Sequence, residues 1–112
     1  MNQRDLIWVR LPFSSLKESK VRPAIIVSND SYNSKSEDVV VCAITSNLEE
    51  KEYSILIDNS SLSSGRLRLS SKIRADKIIQ IEKELIIRPF ARLNDGAFDR
   101  FIEEIKKLIQ RK

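Results

Sequence analysis

Four short apolar runs rich in β-branched and aromatic residues constrain this chain most: Leu6-Ile7-Trp8-Val9, Ala24 to Ser28, Val39 to Ile44 and Tyr53-Ser54-Ile55-Leu56-Ile57. Each has the composition of a strand and none approaches membrane-spanning length. Turn chemistry at Ser14 to Lys20, Asn29 to Asp38 and Asp58-Asn59-Ser60 punctuates them. Strands at this spacing predict an all-β sheet curled into a small barrel, with its central runs buried on both faces. Ile78-Ile79-Gln80-Ile81 and Leu85-Ile86-Ile87 add further extended pieces. The period then lengthens. Phe98, Phe101, Ile102, Ile105, Leu108 and Ile109 recur at helical spacing, with Asn94 or Asp95 available as a cap. An amphipathic C-terminal helix is therefore expected to lay its apolar stripe on the barrel, with its late cations complementing the helix dipole. At 112 residues the whole chain, 1–112, is expected to be one domain.

Charge and residue types narrow the chemistry. Twenty Lys and Arg residues against sixteen Asp and Glu favour anionic partners without demanding them. The chain has no histidine, so the usual acid/base near neutral pH and the commonest zinc ligand are both missing. Its single cysteine, Cys42, cannot form an intramolecular disulfide and sits in an apolar run, the setting of a small core hydrophobe. A reducing cytoplasm fits, and neither a leader peptide nor membrane insertion is expected.

In Val21-Arg22-Pro23-Ala24-Ile25-Ile26-Val27-Ser28-Asn29 a cation and a rigid proline stand at the mouth of a buried strand. Arg22 is either a solvated flanking residue or a planar fork of donors held against an anionic substrate. Downstream, Arg66, Arg68, Ser70, Lys72, Arg74 and Asp76 share one parity while Leu67, Leu69, Ile73 and Ala75 share the other. An extended stretch would present a basic face; a turn near Ser70-Ser71 would break it. Trp8 lies in an apolar strand, where core packing outranks base stacking. Phe13 and Tyr32 lie in loops, placed either to stack on bases or to fasten those loops to the barrel.

In order and spacing, several segments together resemble the MazF/PemK family of toxin endoribonucleases, the mRNA interferases: Asp5-Leu6-Ile7-Trp8-Val9, the Arg22 to Asn29 segment with Tyr32-Asn33, Ala43-Ile44-Thr45-Ser46, and Ser71 to Ile78. The resemblance implies a small SH3-like β-barrel with helical additions, usually a homodimer. It also implies a metal-independent, cofactor-free, sequence-selective cleavage of single-stranded RNA, and inhibition by an antitoxin whose tail fills the RNA groove. Four departures accompany the match. Arg4 stands where the family commonly has glycine before the first acidic residue, and Ala91 stands where it often has glycine. The Ser14 to Lys20 connection is compact and lacks glycine, and the histidine that some members carry near that loop is absent.

RNA supplies its own nucleophile, the 2′-hydroxyl, so a protein need only position and neutralise. The resemblance implies products with a 2′,3′-cyclic phosphate and a 5′-hydroxyl. Arg22 is the candidate for stabilising charge on the phosphorane-like transition state. Thr45 matches the family's hydroxyl position, where it either donates to a phosphate oxygen or bonds its own backbone at a strand end. Arg74 and Asp76 match an Arg-x-Asp motif: either Asp76 accepts the 2′-hydroxyl proton while Arg74 assists the leaving oxygen, or the two form a structural ion pair. Phe13, Lys20, Ser28, Asn29, Tyr32, Ser46 and Lys72 are the candidate RNA contacts. The competing expectation is a catalytically inactive SH3-like module that binds RNA or protein.

Overall fold

The computed structural model describes residues 1–12, 19–50 and 52–112. Seven strands, β1 (Asp5–Pro12), β2 (Ser19–Ile26), β3 (Asp38–Thr45), β4 (Ser54–Ile57), β5 (Leu62–Gly65), β6 (Ser71–Glu82) and β7 (Ile86–Leu93), form one antiparallel sheet. Their order is β4-β6-β3-β2-β1-β7-β5, so the two end strands, β4 and β5, do not pair with each other and the curled sheet stays an open half-barrel. A short helix α1 (Asp30–Lys35) joins β2 to β3, and α2 (Asp95–Ile109) follows β7.

Both faces of the central strands are covered, which is why their sequences run apolar without alternation. On one face Leu6, Ile25, Cys42, Ile73 and Leu93 pack with Phe98 and Phe101 of α2. On the other, Ile7, Val9, Ile26, Val39, Val41 and Ile81 form a second cluster. Asn94 caps α2 by accepting from the Ala97 N–H at 2.9 Å. The helix buries Ala97, Phe98 and Phe101, whereas Ile109 at the end of the same stripe is 73% exposed.

Three expectations change. The Asn29 to Asp38 segment holds α1, capped by the Asn29 side chain, rather than turns alone. The serine-rich β5 carries no apolar signal and exists through its pairing with β7. Residues 66–70 lie outside any strand and β6 begins at Ser71, so the turn near Ser70-Ser71 breaks the parity and no continuous basic face from 66 to 76 forms. Beyond that break β6 is one strand of 12 residues that takes in Ile78 to Ile81.

Arg4 has φ of 79°, the left-handed region that costs any residue with a Cβ. Its guanidinium donates to the Leu93 carbonyl and pairs with Asp95, each at 3.0 Å, tying the start of β1 to β7 and α2. Backbone and side chain therefore ask for different residues. Arg4→Ala removes the contacts and keeps the strain; Arg4→Gly removes both. The glycine variant is expected to be more stable than the alanine variant by about 1 kcal/mol, read from urea midpoints. An alanine variant at least as stable as the glycine one would show that the backbone carries no strain here.

Candidate functional site

β2 and β3 pair from Ala24/Ala43 to Ile26/Val41 and no further toward Arg22. Pro23, immediately outside that pairing, has no N–H to extend it. Past this point the strands diverge, and a groove of about 920 Å³ opens between the end of β3 and the start of β2. Arg22 and Pro23 form one wall with Trp8; Ile44, Thr45 and Ser46 form another; Arg66 to Leu69 and Ser71 close a third side; Arg88 and Phe90 come from β7. Four arginines thus line it, and among the described residues no carboxylate does. Such a concavity attracts a polyanion.

Local structure sets each wall. The β1–β7 register shifts between Leu6 and Ile7, pairing Leu6 with Ala91 and Ile7 with Pro89, so Phe90 is the extra residue of a bulge. Phe90 stacks on Trp8 with ring centroids 4.8 Å apart. The arginine loop is pinned by one side chain: Asn59 accepts from the Leu67 N–H at 2.7 Å and donates to the Leu67 carbonyl at 3.2 Å. Leu67 itself packs against the core beneath α2, leaving Arg66 and Arg68, one on each side, to line the groove.

Of the four residues with expected catalytic roles, the groove unites Arg22 and Thr45 and does not include Arg74 and Asp76. The Thr45 hydroxyl accepts from the Asn47 N–H at 3.1 Å, the local strand-end bond, and keeps its own O–H proton for donation. Arg74 and Asp76 grip each other through two bonds, Nε to Oδ1 at 2.9 Å and a terminal nitrogen to Oδ2 at 2.6 Å. They lie where β6 departs from regular pairing with β3. The hydrogen bonds from Arg74 hold the Asp76 carboxyl below its ordinary range, and those to Asp76 raise Arg74. Burial, with a smaller push from Asp76, drives the Cys42 thiol up to about 12, so it stays a neutral core group.

The expected RNA contacts scatter. Ser46 lines the groove. Lys72 donates to the Glu49 carbonyl at 3.0 Å, and Lys20 is exposed on β2 opposite Leu11. Ser28 bonds Asn33 and the Val40 N–H, Asn29 caps α1, and the Tyr32 hydroxyl accepts from Gln80 at 3.1 Å. Phe13 lies outside the described residues. Trp8, expected in the core, faces the groove instead, because the bulge at Phe90 supplies a ring to stack on it there. Arg88 and Phe90 were not anticipated; Pro89 between them, a residue confined in sheets to edges and bulges, was the available signal.

Because the Asp76 carboxyl titrates lower in the folded protein than in the unfolded chain, the pair stabilises the fold above the unfolded value of about 3.9. That contribution is lost as pH falls through the folded value. Urea midpoints followed downward from about pH 6 should therefore fall further for the wild type than for Asp76→Asn, with the two curves converging once the pH is below the folded value. A constant gap across this range would show that the pair does not couple folding to protons.

A family model described as PemK-like, MazF-like toxin of type II toxin-antitoxin system matches residues 2–109. The chain is 30% identical over 113 residues to Endoribonuclease MazF9 of Mycobacterium tuberculosis, covering 95% of this chain and 94% of that protein. Among solved structures it is similar to a mycobacterial endoribonuclease in complex with its cognate antitoxin, with TM-score 0.81 and 15% identity over 100% of this chain and 97% of that one. It is also similar to the Mycobacterium tuberculosis toxin MazF-mt6, with TM-score 0.80 and 17% identity over 97% of this chain and 99% of that one. At such identities the structural likenesses speak for the fold.

Proposed function

Since this chain belongs to the PemK-like, MazF-like toxins of type II toxin–antitoxin systems, we propose that it is an endoribonuclease that cuts single-stranded RNA in the arginine-lined groove without a metal ion. The observation that carries this reading is the convergence of Arg22, Thr45 and three further guanidiniums on one groove, with no carboxylate among the described residues that line it. The aromatic pair Trp8 and Phe90 offers a surface for a base, since single strands are held by stacking and base-edge bonds.

In this reaction the substrate's 2′-oxygen bonds to the adjacent phosphorus as the P–O5′ bond breaks. The products are a 2′,3′-cyclic phosphate, or the 3′-phosphate it opens to, and a 5′-hydroxyl. Arg22 neutralises charge on the phosphorane, and the Thr45 O–H donates to a non-bridging oxygen. Transfer of the 2′-hydroxyl proton to Asp76 would require the carboxylate to leave Arg74, whose fork engages both oxygens and lowers their basicity. In our reading that pair is a positioning element of β6, water takes the 2′-hydroxyl proton and water protonates the leaving 5′-oxygen.

The groove also suits the acidic, apolar tail of a cognate antitoxin. The mycobacterial relative was solved with its antitoxin, and a homodimer is the expected state of this chain.

The test is incubation of the purified protein with a long unstructured RNA in EDTA, with mapping of cut positions and end groups. Discrete cuts with 5′-hydroxyl ends are expected. RNA that binds with salt dependence and stays intact would instead establish a binding module, the reading favoured by a chain without histidine and by described groove residues without a carboxylate.

A further inference from the structure

A second hollow, of about 570 Å³, lies against the β5–β7 end of the sheet and shares two residues with the main groove, Arg88 and Phe90. Its remaining lining differs in kind. Ser63 and Ser64 supply small polar side chains, and Gly65, Arg92 and Asp5 line the hollow as well. Asp5 is mostly buried and held by Arg92 at 3.0 Å, so its charge is compensated within the hollow. Ser63 is exposed at a register shift of the β5–β7 pairing, and its hydroxyl donates to the Arg92 carbonyl at 3.4 Å. Donors and acceptors are present there, and Arg88 leads to them.

We propose that this hollow is a second nucleotide subsite, reached from the groove over Arg88 and Phe90. The inference rests on the RNA-cleaving reading and adds to it where the strand goes on leaving the groove. A chain whose phosphates follow guanidiniums continues past Arg88, at the junction, and sets its next nucleotide against hydroxyls and peptide groups that bond base edges. The hollow adjoins the groove through β7 alone, so extending the substrate is productive in one direction only.

The experiment measures affinity and cleavage separately, using a short RNA that spans the cut site and the same RNA lengthened by a few nucleotides at its 5′ or its 3′ end. One of the two extensions is expected to tighten binding by about tenfold, the order of one added base contact. Ser63→Glu should weaken that extended RNA about threefold and Ser63→Lys strengthen it about threefold at low salt, with the short RNA unchanged in both. Opposite signs separate a contact from a folding defect, which would weaken every RNA in both variants. Equal binding of short and extended RNAs, or variants acting on both alike, overturns the subsite while cleavage of the short RNA keeps the ribonuclease reading. Absence of binding to any RNA overturns both. Binding without cleavage overturns the ribonuclease alone, and the affinities still decide the subsite.

Discussion

Arg22→Ala is expected to lower kcat for RNA cleavage by at least about 10³-fold, the range set by losing a preorganised cation at developing phosphoryl charge, while the protein remains folded. Arg22 belongs to neither core cluster and is exposed within β2, opposite Val9 of β1 rather than at the strand's entrance, so truncating it opens no cavity. Arg22→Lys should fall between, retaining charge but losing the planar fork that meets two phosphate oxygens at once. Arg66 and Arg68 provide the contrast. They reach the groove from a loop, and truncating either should raise KM and flatten the salt dependence of binding by about one phosphate contact with kcat nearly intact. Single-turnover rates with saturating protein separate the two behaviours. Undiminished activity in Arg22→Ala would remove this residue from the mechanism.

The parts of this molecule legible in the sequence are those written by burial. Val39 to Ile44 and Ala24 to Ile26 sit between two cores, so their unbroken apolar character announced strands covered on both faces, and the stripe from Phe98 to Ile105 announced the helix above one of them. Arg22 and Thr45 were legible as a pair only through the resemblance, because what unites them is divergence of two strands past Pro23. The segments that stayed hidden owe their form to distant partners. β5 has serine where a strand needs a signal and forms because β7 lies beside it. Trp8 reads as core by its neighbours, yet which face it takes depends on a bulge some eighty residues away. The departures from the family pattern proved informative for the same reason: Arg4 occupies the backbone conformation that a glycine would adopt without cost.

Gly65→Ala should cost roughly 3 kcal/mol or more of stability, a large share of a small domain's total stability. Two independent costs combine. Gly65 has φ of 81°, where a Cβ meets its own backbone, a strain of about 1–2 kcal/mol. The added Cβ would also lie 2.3 Å from the Phe90 carbonyl oxygen and 2.4 Å from the Ala91 Cα. Both are backbone atoms of the paired strand, so relief requires β5 to lift away from β7. That movement would disturb the strand carrying Arg88 and Phe90, and RNA binding should weaken along with the urea midpoint. A companion variant identifies the cause. The Ala91 Cβ, at 2.7 Å, is only the third contact, so adding Ala91→Gly should recover little of the loss. Full recovery would mean that side-chain crowding, and not backbone approach, dictates glycine at position 65.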